Sequence, residues 1–213
     1  MAEEDVATVL YYVHDPMCSW CWGFVPVLKE LLGKLPDEIR VKRLLGGLAP
    51  DSDVPMPADM RQTIAATWRR IEEAIPGTVF NHDFWTQCAP RRSTWPSCRA
   101  VIAARMQGDE FDVRMTRAIQ LAYYTQARNP ADEDTLVELA GELGLDRRVF
   151  VAALQGESVQ QQLLTEIALS RRLQISSFPG LVLRIGGTEE WPVPVDYHDS
   201  TPMLDLITAL RAD

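Results

Sequence analysis

Two cysteines separated by two residues, Cys18-Ser19-Trp20-Cys21, stand between a strand-like run and a helix-like one. The preceding run, Thr8-Val9-Leu10-Tyr11-Tyr12-Val13, is β-branched and aromatic, which suits a pleated strand. The following run, residues 22–35, carries Phe24, Val27, Leu28, Leu31 and Leu32 at helical spacing. A strand must therefore hand over to a helix within a few residues, and the chain is α/β from its start. The same junction sets a chemistry. A thiol at a helix N-terminus meets free N–H groups and the positive end of the helix dipole, which stabilise a thiolate. Cys18 is the expected nucleophile. Cys21, one helical turn on, is the expected resolving thiol, more buried and harder to ionise.

The rest of the pattern places this junction within a larger fold. Pro26 falls inside the first helix, where its missing N–H predicts a kink, and Gly33 is its expected stop. Residues 39–45 alternate apolar and basic and end at Gly46-Gly47, a second strand followed by a break. A loop with three prolines, residues 49–57, marks a boundary. Helical patterning then runs for more than a hundred residues. Met60, Ile64, Trp68 and Ile71 form one stripe, and residues 101–106, 111–124 and 135–143 form others, the last stopped by Gly144. Asp146 and Ser158 are the expected caps of two further helices. Residues 181–185 return to a strand and turn at Gly186-Gly187. Residues 191–195 hold two prolines, which confine them to a sheet edge. A final helix opens at Ser200 or Thr201 with Pro202 in its first turn.

Two pieces of one α/β domain, residues 1–50 and 172–213, thus flank an inserted all-α domain, residues 51–171. Ser176-Ser177-Phe178-Pro179 lies directly before the third strand. A proline there is compatible with a cis bond.

Bulk properties exclude several function classes. The net charge of −9 offers no excess of Lys and Arg to neutralise phosphates, which argues against nucleic-acid and anionic-membrane partners. No apolar run reaches the length of a membrane span. The acidic start, Met1-Ala2-Glu3-Glu4-Asp5, lacks the basic region of a secretory signal, so a cytoplasmic location is expected. Four cysteines in 213 residues are no disulfide scaffold, and Cys88 and Cys98 are expected to be free spectators.

Asp15-Pro16-Met17-Cys18-Ser19-Trp20-Cys21-Trp22-Gly23-Phe24 resembles the active-site segment of the DsbA-like family of the thioredoxin superfamily. It is most similar to the cytoplasmic, FrnE-like branch of predicted protein-disulfide isomerases. Residues 45–50, 93–100, 118–124 and 177–179 resemble that branch as well. The resemblance implies a thioredoxin fold with an all-α helical domain inserted after the second strand. It also implies a cis-proline at Pro179 and a kink-forming proline at Pro26. The implied activity is that of a thiol–disulfide oxidoreductase or isomerase. In that chemistry Cys18 forms a mixed disulfide and Cys21 resolves it. Ser19 and Trp20 would tune the thiolate, and the Phe178 backbone would receive an extended substrate. His14, close to Cys18 in sequence, is either a structural residue at the strand end or a proton donor or cation beside the thiolate.

The expected partners are disulfide-containing proteins or small thiols, with a homodimer as one possible assembly. No bound cofactor is expected, and glutathione is a candidate redox partner. Arg91-Arg92 could hold an anion such as a glutathione carboxylate. Trp20, Trp22 and Phe24 could form a substrate platform, although Phe24 belongs to the core stripe. Two other readings compete. Glutathione-dependent isomerases and transferases of the kappa and chromene-carboxylate type share a thioredoxin domain with a helical insertion, but they generally lack the CxxC. A metal-binding scaffold would need four ligands for a tetrahedral zinc, and His14, His82 and His198 show no ligand spacing.

Overall fold

The computed structural model describes residues 8–212. Strand β1 (Val9–His14) leads into helix α1 (Ser19–Lys34), which crosses over to strand β2 (Arg40–Leu45). Helices α2 (Ala58–Ala74), α3 (Phe84–Gln87), α4 (Trp95–Arg105), α5 (Phe111–Thr125), α6 (Glu133–Glu142), α7 (Arg147–Leu154) and α8 (Glu157–Arg172) follow without a strand between them. Strands β3 (Gly180–Ile185) and β4 (Glu189–Val193) and helix α9 (Thr201–Ala212) close the chain. The sheet order is β2-β1-β3-β4, with β1 and β2 parallel and the other pairs antiparallel. This is a mixed α/β thioredoxin-like architecture with its helical insertion after the second strand.

Residues of β1 alternate between the two faces of this sheet. Leu10 and Tyr12 join Phe24, Leu28 and Leu31 of α1 and Met203 and Ile207 of α9 in one core. Tyr11 and Val13 face the opposite side, with Leu44, Val182 and Leu173. The helical block has its own core around Val101, Ile102, Ile119, Leu136, Phe150 and Leu163, which reaches the sheet through Leu45. A fourth cluster, centred on Trp68, Phe84, Tyr123 and Tyr124, packs behind the start of α1 and includes Met17.

Several local expectations are met for the expected reasons. The Gly186-Gly187 turn joining β3 to β4 has positive φ at both residues, +59° and +80°. Pro192 sits on edge strand β4 opposite Val182, where a missing donor costs nothing to the sheet interior. Helix α6 ends in a Schellman turn, with Gly144 at φ +81°, its N–H on the Gly141 carbonyl and that of Leu145 on Ala140. Asp146 caps α7 by accepting from the N–H groups of Arg148 and Val149.

Other expectations need correction. Helix α1 begins at Ser19, not at residue 22, so Cys21 lies in its first turn and Cys18 is its N-cap. It passes through Gly33 and stops at Leu35, because the residue before Pro36 is excluded from helical geometry by the proline ring. Ser158 lies inside α8, whose N-cap is Gly156. Helix α4 begins earlier than the helical stretch read at residues 101–106, with Trp95, Pro96 and Ser97 in its first turn. Proline is well suited to a first turn, whose N–H groups have no intrahelical partner.

Candidate active site

The dithiol sits where β1 delivers the chain into α1. Cys18 is 6% exposed and Cys21 is fully buried. The Cys21 N–H donates to Cys18 Sγ at 3.3 Å, so the capping group of the helix is the sulfur itself. The Cys18 thiol donates to the Phe178 carbonyl, also at 3.3 Å. Burial first, then the adjacent Cys18, pushes the Cys21 thiol well above its ordinary value. A thiol poised at the surface end and a second held protonated behind it form a nucleophile and a reserve nucleophile.

The Phe178–Pro179 bond is cis. The Phe178 ring lies against Gly46 at the end of β2, where an added Cβ would come within 2.1 Å of its Cζ. No larger residue fits there without moving the ring, and the ring is continuous with the carbonyl that meets Cys18. The double glycine read as a strand stop thus also seats the segment opposite the thiol.

Of the residues singled out in the sequence, the fold brings Cys18, Ser19, Trp20, Cys21 and Phe178 together, with Pro179 next in chain. Cys18, Ser19, Trp20 and Phe178 line a cleft of about 340 Å³ that also contains Met17, Met56, Tyr123, Arg91 and Arg92. Trp20 is half-buried against Tyr197, with Arg70 over its ring. Trp22 turns away, stacked on Tyr124 and donating to the Val79 carbonyl, and Phe24 is wholly core. Cys98 is buried and Cys88 half-buried, and all four cysteines are free thiols.

His14 does not fit the role of a cation beside the thiolate. It is 1% exposed and stacked on Tyr12 at 4.8 Å between ring centres. Its Nε2 lies 3.1 Å from Arg43 Nη2, so that nitrogen accepts and the ring proton resides on Nδ1. Burial, then Arg43 and Arg105, hold its pKa well below the ordinary histidine value. The unfolded chain therefore takes up a proton near pH 6.5 that the folded chain refuses. Stability is complete above that pH and falls as the pH drops below it, by up to about 1.4 kcal/mol per unit. Replacing His14 by Gln keeps an acceptor for Arg43 and removes the titration. Chemical denaturation at pH 7.5 and 5.5 is expected to show wild type losing about 1.4 kcal/mol more than His14→Gln. An equal loss in both proteins would mean that His14 is not held neutral.

Sequence reasoning missed three residues here. Asp15, fully buried, accepts from the N–H groups of Met17 and Leu48 at 2.8 Å each. Its Oδ2 also accepts from the Thr94 hydroxyl at 2.6 Å and the Cys98 thiol at 3.5 Å. It thereby ties together the loop entering α1, the loop leaving β2 and the start of α4. Burial raises its pKa against the opposing pull of these hydrogen bonds. Trp68 of α2 donates from Nε1 to Ser19 Oγ at 2.9 Å, so the insertion reaches the dipeptide between the cysteines. The Tyr124 hydroxyl, in the same aromatic cluster, is buried without a hydrogen-bond partner among the described residues. Asp15 stood within the recognised motif, but nothing in the sequence showed its depth. Trp68 carried only a core-stripe signal.

A family profile described as thioredoxin matches residues 11–200. The chain belongs to the thioredoxin family. A candidate protein disulfide isomerase from Nitrosomonas europaea superposes with a TM-score of 0.83 at 27% identity, covering 97% of this chain and 98% of that one. The cytosolic disulfide reductase DsbM of Pseudomonas aeruginosa superposes at 0.77 with 26% identity, covering 96% and 100%. Among curated relatives, the ClpXP adapter protein SpxH of Halalkalibacterium halodurans is 25% identical over 193 residues, 89% of this chain and 62% of that protein. This chain therefore spans about three-fifths of the length of that relative. Among the described residues, no helix is long and apolar enough to cross a membrane. Nor do three or more His, Cys, Asp or Glu side chains there converge as a metal site.

Proposed function

We propose that this protein is a thiol–disulfide oxidoreductase working through the Cys18–Cys21 dithiol. The observation that carries the reading is the setting of Cys18 Sγ, capped by the Cys21 N–H and facing the Phe178 carbonyl at the mouth of a cleft. Cys18, as thiolate, attacks one sulfur of a substrate disulfide and expels the other half as a thiolate. The Cys21 thiol then loses its proton and attacks Cys18 Sγ, which releases the second half and leaves the Cys18–Cys21 disulfide. When substrate displaces the Cys18 thiol from Phe178, that carbonyl is free to accept an N–H from an extended chain.

A cytoplasmic setting would make reduction or isomerisation the working direction, with glutathione as a redox partner. The neighbour DsbM supports this, being described as a cytosolic disulfide reductase and solved with glutathione at a TM-score of 0.74 and 26% identity. The intact Cys21 weighs against a glutathione transferase of the kappa type. The deciding experiment is a glutathione redox titration of a Cys88→Ser/Cys98→Ser protein, read by alkylation and mass spectrometry. A single reversible transition is expected. A midpoint near about −270 mV would assign reduction, and one near about −120 mV oxidation. If Cys18 and Cys21 form no disulfide at any ratio of oxidised to reduced glutathione, the reading fails.

A further inference from the structure

The cleft at Cys18 differs in charge from the molecule around it. The chain carries 30 acidic and 21 basic residues. Yet among the described residues no Asp or Glu lines the cleft, while Arg91 and Arg92 do. The adjoining hollow on the other side of Phe178 repeats the pattern, with Arg171 and no acid. Arg91 is already engaged, by Asp132 Oδ1 at 2.6 Å and the Ala131 carbonyl at 2.7 Å. Arg92 is exposed and has no ion pair among the described residues. A free guanidinium thus shares a pocket with the nucleophilic sulfur and with an apolar wall of Met17, Met56 and Tyr123. At about 340 Å³ the pocket matches a small molecule rather than a protein surface.

We infer that the preferred substrate is a small disulfide carrying carboxylates near its sulfurs, and that Arg92 selects it by pairing with one of them. This rests on the dithiol reading above and narrows it. Arg92 neutralises the charge of the incoming molecule and orients it, so that one sulfur faces Cys18. The reaction is a balanced two-electron exchange. The substrate S–S bond breaks, two thiols of the substrate are released, and the protein dithiol becomes the Cys18–Cys21 disulfide.

The test compares second-order rate constants for the reduced protein with three disulfides of different charge: anionic glutathione disulfide, neutral hydroxyethyl disulfide and cationic cystamine. At low salt, glutathione disulfide is expected to react about fivefold faster than cystamine after correction for their rates with free dithiothreitol, and the gap should close near 1 M salt. Arg92→Gln should collapse that ratio and Arg92→Glu should reverse it. Arg211→Gln, on the distant helix α9, should leave the ratio as in wild type. A ratio near one in wild type, or one that Arg92→Glu does not move, overturns the inference. So does reduction of insulin without reaction with glutathione disulfide, which would leave the dithiol reading standing. Failure with every disulfide would remove both.

Discussion

Replacing Cys18 by Ser is expected to reduce disulfide exchange by roughly a thousandfold or more, whereas Cys21→Ser should arrest it after one chemical step. The two sulfurs sit in different surroundings. Cys18 lines the cleft and receives the Cys21 N–H, a donor that strengthens when it meets a thiolate. Cys21 is fully buried, and burial holds its proton on. A hydroxyl at position 18 does not ionise near neutral pH, so the attacking anion is lost with little change in shape. A hydroxyl at position 21 leaves attack intact and removes only the group that would release the substrate. Mass spectrometry of Cys21→Ser after exposure to a disulfide should therefore show one adduct, at Cys18, discharged by added dithiothreitol. A comparable adduct on the fully buried Cys98 would mean that burial does not govern reactivity in this chain. Retained turnover in Cys18→Ser would refute the proposed mechanism.

What could be read from the sequence follows from the range of the forces involved. Strand, turn and helix at residues 9–34 are specified by local patterning, as is the Gly144 stop, so these were legible within a few residues. The start of α1 was misplaced because its cap is a sulfur, a weak acceptor absent from ordinary capping rules. Likewise α4 begins at Trp95, ahead of the apolar stripe at residues 101–106, because a proline is tolerated in a first turn and carries no periodic signal. The candidate site divides in the same way. Cys18, Cys21 and Pro179 lie in short motifs. The hydrogen bonds of Trp68 to Ser19 and of Thr94 to Asp15 join residues 49 and 79 positions apart, and no local pattern announces them. For His14 the structural reading holds and the functional one does not, for a related reason. Its closeness to Cys18 in sequence suggested a role at the thiolate, whereas the packing of Tyr12 and Arg43 over it makes it one of the least exposed polar groups.

Asp112→Ala is expected to destabilise the fold by about 3 kcal/mol, the low end of the cost of breaking a buried ion pair. Asp112 sits in the first turn of α5 with its side chain 7% exposed. Oδ1 accepts from Arg43 Nε of β2 at 2.6 Å, and Oδ2 from Arg105 Nη1 of α4 at 3.0 Å. Arg105 continues to Glu166 of α8, whose other oxygen accepts the Leu45 N–H at 2.8 Å. One carboxylate thus holds two guanidinium groups that dock three helices of the insertion onto the edge of the sheet. Its removal leaves both cations short of a partner, and the two arginines, at 17% and 20% side-chain exposure, recover only part of the loss from water. Asp112→Asn keeps the shape and an acceptor, and should cost about half as much. The network also ends at Leu45, one residue before the Gly46 on which Phe178 rests, so loosening should reach the site. Urea unfolding of the three proteins at neutral pH measures the first effect, and the rate of Cys18 alkylation in the folded protein measures the second. A loss below about 1 kcal/mol for Asp112→Ala would mean that the network behaves as a solvent-screened surface cluster. The insertion would then be held by its apolar core alone.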